Sequence, residues 1–138
     1  MVKRLVDFIF SIFAIIIIIF PCFLISSLIK LTSTGPILYW SKRSGRNGTI
    51  FMMPKFRTMR INTPEVATEK LIDPKQYHTP IGSFLRRTSL DEFPQFYSVI
   101  KGDMSLVGPR PVLYNQYDVI SKRKKLGIDI LRPGITGW

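Results

Sequence analysis

The uncharged stretch from Phe8 to Ile29, FIFSIFAIIIIIFPCFLISSLI, decides how the rest of this 138-residue chain is read. About 22 residues of helix would run roughly 33 Å, enough for a bilayer core of about 30 Å. A cleaved signal peptide has a shorter apolar run and small residues after it. Lys30-Leu31-Thr32 offers no such cleavage site. Residues 1–31 therefore read as a membrane-inserted segment and residues 32–138 as one small domain at the membrane surface.

Pro21 divides the apolar run. Proline removes a backbone donor and crowds the carbonyl four residues earlier, which kinks a helix. The reading is helix, break at Pro21, helix. The legs Phe8 to Phe20 and Cys22 to Leu31 would span about 20 and 15 Å, each too short to cross alone. Both flanks are basic, with Lys3-Arg4 before and Lys30, Lys42 and Arg43 after. Positive charge favours the cytoplasmic face. A re-entrant hairpin satisfies both flanks, and a kinked spanning helix remains open because membrane helices tolerate proline.

Lys and Arg total 20 against 9 Asp and Glu, a net charge of +11. That excess favours anionic partners such as lipid headgroups and phosphates. Nucleic acid is set aside, since the cations are scattered among prolines and match no binding module. The single cysteine, Cys22, excludes an intramolecular disulfide.

After the breaker cluster Thr32-Ser33-Thr34-Gly35-Pro36, Ile37 to Ser41 and Ile50 to Met53 read as strands joined through Gly45-Arg46-Asn47-Gly48. Asn62 to Thr79 is polar and reads as a loop or short helices, with His78 as an isolated loop histidine. Ile81, Phe84 and Leu85 share a helical face. Ser89-Leu90-Asp91-Glu92 has the form of a capping box, opening a helix that is bent by Pro94, runs to Lys101 and stops at Gly102. Gly108-Pro109-Arg110-Pro111 is a rigid loop, and Tyr114 to Lys125 a basic helix. The fold class is α+β: an N-terminal membrane helix, then a small, mostly helical domain with a short β-hairpin or sheet.

Asp91 and Glu92 carry two readings. Acids in a first helical turn stabilise the dipole and cap free amides. The same placement, beside Arg86-Arg87, would keep a carboxylate ionised next to bound phosphate. Such a carboxylate can attack phosphorus, and a neighbouring acid can help hold a divalent metal such as Mg2+. Lys55 and Arg57 share one face of an extended segment, Arg87 precedes the acids, and Arg110 projects from between two prolines. Arginine grips phosphate oxygens through paired hydrogen bonds. Asp103 reads as structural.

Four stretches together resemble the bacterial sugar transferases, the monotopic phosphoglycosyl transferases. They are Lys55-Phe56-Arg57-Thr58-Met59, Arg87 through Gln95, Lys101 through Pro111, and Arg132-Pro133-Gly134-Ile135-Thr136-Gly137-Trp138. They come in family order and cover essentially the whole chain. The resemblance implies transfer of a sugar 1-phosphate from a UDP-sugar to polyprenyl (undecaprenyl) phosphate, with release of UMP and a need for Mg2+, in the first step of polysaccharide or glycan assembly. It implies Asp91 as the nucleophile that carries the phosphosugar, and Glu92 with Asp91 at the metal. It places Lys55, Arg57, Arg87 and Arg110 at substrate phosphates. It also implies a helix that re-enters the cytoplasmic leaflet of the bacterial inner membrane, with the catalytic domain on the cytoplasmic face.

Two departures stand out. Family members often carry a serine just before the helix-breaking proline, where this chain has Phe20; Ser26, Ser27 or another segment is then expected to satisfy the freed backbone groups. The family also continues for dozens of residues beyond the position of Trp138. The expectation is a chain with an intact dyad and a nucleotide side left incomplete; the alternative is a membrane-anchored family fragment without turnover.

Overall fold

The computed structural model describes residues 1–64, 66 and 70–137. Part of the polar stretch 62–79, and Trp138 of the last family motif, lie outside the described residues.

One helix dominates the N-terminus. α1 spans Val2–Thr32, about 46 Å of rise, and contains an 18-residue window of mean hydropathy 3.1. The helix continues through Pro21, so the expected division into two separate helices at that residue is not seen, although the proline nitrogen donates no bond to the Ile17 carbonyl. A proline inside a helix removes one backbone bond while the neighbouring turns remain, and lipid offers no competing partner for their amides. Ser26 and Ser27 do not take up what Pro21 frees. Their hydroxyls donate to the carbonyls of Cys22 and Phe23, one turn before each.

Both ends of α1 dock on the same domain. At the C-terminal end, Ile25 and Ile29 are buried with Phe56 and Leu85. The Arg57 guanidinium donates to the carbonyls of Ser33 and Thr34 and to Ser33 Oγ, satisfying acceptors that a helix end leaves open. At the N-terminal end, Asp7 is buried and accepts from Ser105 Oγ at 2.8 Å and the Leu106 amide at 3.2 Å. Arg4 donates to the carbonyls of Val99 and Ile100, and Lys3 to Ser105 Oγ and the Val107 carbonyl.

The anticipated hairpin is present and longer than its apolar cores. β1 (Leu38–Ser44) and β2 (Ile50–Phe56) pair antiparallel from Leu38↔Phe56 to Ser44↔Ile50. The tight turn Arg46–Gly48 joins them, with Asn47 in the left-handed region (φ 55). A short β4 (Val112–Leu113) adds to the free edge of β1, giving the order β2-β1-β4. A separate parallel pair joins β3 (Ser105–Val107) to β5 (Gly134–Thr136). Alternation along β2 turns Phe51 and Met53 into a second core cluster with Val99 and Met104.

α2 (Gly82–Thr88) buries Leu85, but Phe84, expected on the same inward face, is exposed. The capping box is not formed. Ser89 adopts a left-handed conformation (φ 57) that closes α2, so its side chain caps nothing. Leu90–Glu92 form one 3-10 turn, and α3 (Gln95–Lys101) starts only after Pro94. That proline therefore marks a boundary and does not bend a continuous helix. Gly102 does end α3, at φ 104, a conformation natural to glycine. The basic helix α4 covers Tyr117–Lys125, three residues shorter than the sequence suggests.

Candidate active site

Asp91 lies in the tight turn between α2 and α3, almost fully buried at 6 % exposure. Its surroundings mix apolar side chains such as Leu38, Phe56 and Met59 with basic ones. It lines a cavity of about 280 Å3 together with Lys55, Arg57 and Arg86. Glu92, next in the chain, lines a different cavity of about 380 Å3 with Arg43, Lys55, Gln95 and Arg110. The dyad thus stands between two chambers.

The two acids are electrostatically unlike. Glu92 Oε1 accepts from Lys55 Nζ at 2.9 Å. Asp91 has no ion pair among the described residues, and its carboxyl titrates above the usual aspartate range. Burial is the main cause, with repulsion from Glu92 added; Lys55, Arg86 and its own backbone amide pull the other way. The expectation that a helix terminus and arginines favour the ionised form of this carboxylate is reversed in direction, because no α-helix begins at Asp91 and desolvation outweighs the cations.

The anticipated cations are divided. Lys55 lines both chambers. Arg57 borders the Asp91 chamber, but its Nη atoms are committed to the end of α1. Arg87 is exposed and borders neither chamber, while its neighbour Arg86 faces Asp91 and donates from Nε to Thr58 Oγ1 at 3.1 Å. Arg110 is exposed at the rim of the Glu92 chamber. His78 sits against Ser83, Nδ1 to Oγ 2.6 Å, outside both chambers.

The sequence reading gave Arg43 no part in the site, and it set Arg86 and Arg87 together beside the acids while taking only Arg87 as a phosphate ligand. Adjacent helical residues point about 100° apart, so Arg86 and Arg87 separate only once the chamber's side of α2 is known. The glycines of the last two motifs also gain a reason. A Cβ on Gly108 would stand 2.3 Å from the Arg132 carbonyl oxygen, and one on Gly134 2.1 Å from the Gly108 amide nitrogen. These loops touch backbone to backbone and wall the Glu92 chamber.

Magnesium can be tested against the donor set. No group of three or more Asp, Glu, His or Cys that could hold a metal occurs among the described residues. Mg2+ does not need one, since it commonly binds one or two carboxylates and takes its remaining ligands from phosphates and water. Asp91 and Glu92 repel each other across one peptide bond. A divalent cation would relieve that repulsion, and the residues fit it.

The family described as bacterial sugar transferase matches residues 1–138. The galactosyl transferase CpsE of Streptococcus agalactiae is 41% identical over 75% of this chain and 25% of its own length. The UDP-glucose:undecaprenyl-phosphate glucose-1-phosphate transferase of Escherichia coli K12 is 38% identical over 100% of this chain and 30% of its own. The undecaprenyl-phosphate galactose phosphotransferase of Salmonella typhimurium is 38% identical over 98% and 31%. The chain spans about a quarter to a third of these relatives' length.

Proposed function

The chain belongs to the bacterial sugar transferase family, and from that premise we propose that it transfers a sugar 1-phosphate from a UDP-sugar to a polyprenyl phosphate, initiating glycan assembly at a membrane surface. The observation that carries this reading is the inequality of the two acids. Glu92 is held by Lys55, while Asp91 has no ion pair among the described residues and stands at a chamber whose wall includes Lys55 and Arg86.

In the first step an Asp91 carboxylate oxygen attacks the sugar-bearing phosphorus. The bond from that phosphorus to the bridging oxygen breaks, and UMP leaves with that oxygen and the electron pair. In the second step a phosphate oxygen of the polyprenyl phosphate attacks the same phosphorus, freeing Asp91 and giving a polyprenyl diphosphate sugar. Positioning and charge neutralisation supply most of such catalysis. Lys55 and Arg86 oppose the burial that would protonate Asp91. Arg110 offers a cation to the departing nucleotide. Asp91 and Glu92 would hold Mg2+, which when bound supplies positive charge to the phosphate oxygens.

The membrane placement has its own support. A spanning helix puts its ends on opposite faces, about 30 Å apart. Here Lys3, Arg4 and Asp7 at one end and Ile25, Ile29 and Ser33 at the other all bond or pack to one domain. We therefore read α1 as re-entrant, with the domain on the cytoplasmic face of the bacterial inner membrane, where the basic flanks favour it.

The test is release of UMP from a panel of UDP-sugars by the purified chain in lipid nanodiscs with polyprenyl phosphate. Release that disappears in Asp91→Asn, and a phosphosugar adduct on Asp91 by mass spectrometry, are expected. Equal release by wild type and Asp91→Asn would refute the assignment of the nucleophile.

A further inference from the structure

Arg43 has no role in the scheme above, yet it occupies a singular place. It sits on the central strand β1, paired with Phe51 of β2 on one side and Leu113 of β4 on the other, so its backbone is held from both edges. Its side chain lines both the Asp91 chamber and the Glu92 chamber; among the described residues only Lys55 does the same. The guanidinium is oriented, with Nε donating to Oγ of the buried Ser41 at 2.9 Å and Nη1 reaching the Pro111 carbonyl at 3.4 Å. Pro111 closes the turn that carries Arg110. One arginine therefore ties the sheet to the loop of a second arginine on the same chamber.

Charge then points to the ligand. The described lining of the Glu92 chamber includes Arg43, Lys55 and Arg110 against the single carboxylate of Glu92. Three cations converging on a recessed polar chamber suit a diphosphate. A guanidinium held in a fixed plane is the group that grips non-bridging phosphate oxygens in pairs.

Resting on the transferase reading, we propose that Arg43 binds the donor diphosphate at the seam of the two chambers. It holds non-bridging oxygens of the diphosphate while Asp91 bonds to the sugar-bearing phosphorus and UMP departs into the Glu92 chamber. The competing role is a purely structural clasp on the Pro111 loop.

The experiment measures the rise in melting temperature that UMP produces in the full chain in detergent, with the KM for UDP-sugar alongside. A ligand that binds only the folded state raises its melting temperature with concentration. Arg43→Lys keeps the charge and loses the fork; Ser41→Ala keeps the arginine and loosens its plane. The expected result is a folded Arg43→Lys whose UMP-induced rise is lost and whose KM increases about tenfold or more, with Ser41→Ala intermediate. A UMP response in Arg43→Lys equal to wild type overturns the proposal. Should Arg43→Lys show no cooperative melting, Ser41→Ala decides: an unchanged response overturns the proposal and a reduced one supports it. A wild-type chain that neither responds to UMP nor releases it overturns the transferase reading itself, and this assignment with it.

Discussion

Lys55 Nζ lies 2.9 Å from Glu92 Oε1 and ties the end of β2 to the turn that holds the dyad. The contact distinguishes the neighbouring acids, since among the described residues only Glu92 of the two has an ion pair; under the proposed reaction Asp91 is the one that reacts. Lys55 also draws the Asp91 carboxyl down against the effect of burial. Replacing it with methionine is expected to lower kcat/KM about 10²-fold, the size typical of losing one preorganised electrostatic partner. Without that charge Asp91 titrates higher still, so the acidic limb of the pH profile moves to higher pH. A Lys55→Met profile that superimposes on wild type would contradict the geometry.

Asp91 should weaken the protein it serves. Its carboxyl titrates above the ordinary aspartate value, so between that value and the raised folded one the native state binds more protons than the unfolded chain. Stability from this group is therefore lost as pH rises through that window, and it stays lost above it. Asp91→Asn removes the buried charge and keeps the shape. It is expected to melt above wild type at neutral pH while UMP release falls by roughly 10⁴-fold or more. Thermal melts at pH 7 check the sign; a lower melting temperature for the variant counts against it.

The loops around Arg110 should tolerate no side chain at Gly108. A Cβ there meets the Arg132 carbonyl oxygen at 2.3 Å, a backbone atom that cannot rotate away. Gly108→Ala is expected to destabilise by about 1–3 kcal/mol, the usual range for overpacking. The same shift would disturb the wall of the Glu92 chamber and raise the KM for UDP-sugar. Urea titration and donor kinetics on one preparation read both effects.

Local pattern made some of this legible and packing hid the rest. The Arg46-Asn47-Gly48 turn and the Gly102 stop depend on backbone preference alone, and both appear where the sequence puts them. The capping box at Ser89 fails because α2 ends in a left-handed residue at that position, a choice made by where Leu85 must bury. The Asp-Glu pair was visible as a motif, but its inequality was not, because the partner of Glu92 is 37 residues away. Arg57 reads from sequence as a phosphate ligand and serves in the fold as a clamp on α1, since Thr34 and Ser33 carbonyls need a donor that only the folded chain brings near. Arg43 carries no signal beyond being basic until β4 is seen to flank it.

The docking of α1 at both ends gives the last prediction. Asp7 accepts two hydrogen bonds while buried, and without it the Leu106 amide would lose its side-chain acceptor, while Ser105 Oγ would keep the Val107 carbonyl. Asp7→Ala is expected to destabilise the chain by about 1–3 kcal/mol. Topology offers the sharper readout. In a Cys22→Ser background, single cysteines at Val2 and Thr34 should both react with a membrane-impermeant maleimide from the cytoplasmic side of sealed vesicles, and neither from the other side. Asp7→Ala breaks the bonds that hold the leading end beside Ser105, so it should reduce the protection of β3 amides from hydrogen exchange while the Thr34 position keeps its labelling. Reaction of Val2 from the far side alone would mean that α1 crosses, and bonds that require Arg4 and Arg57 to reach one domain from a single face could not then form.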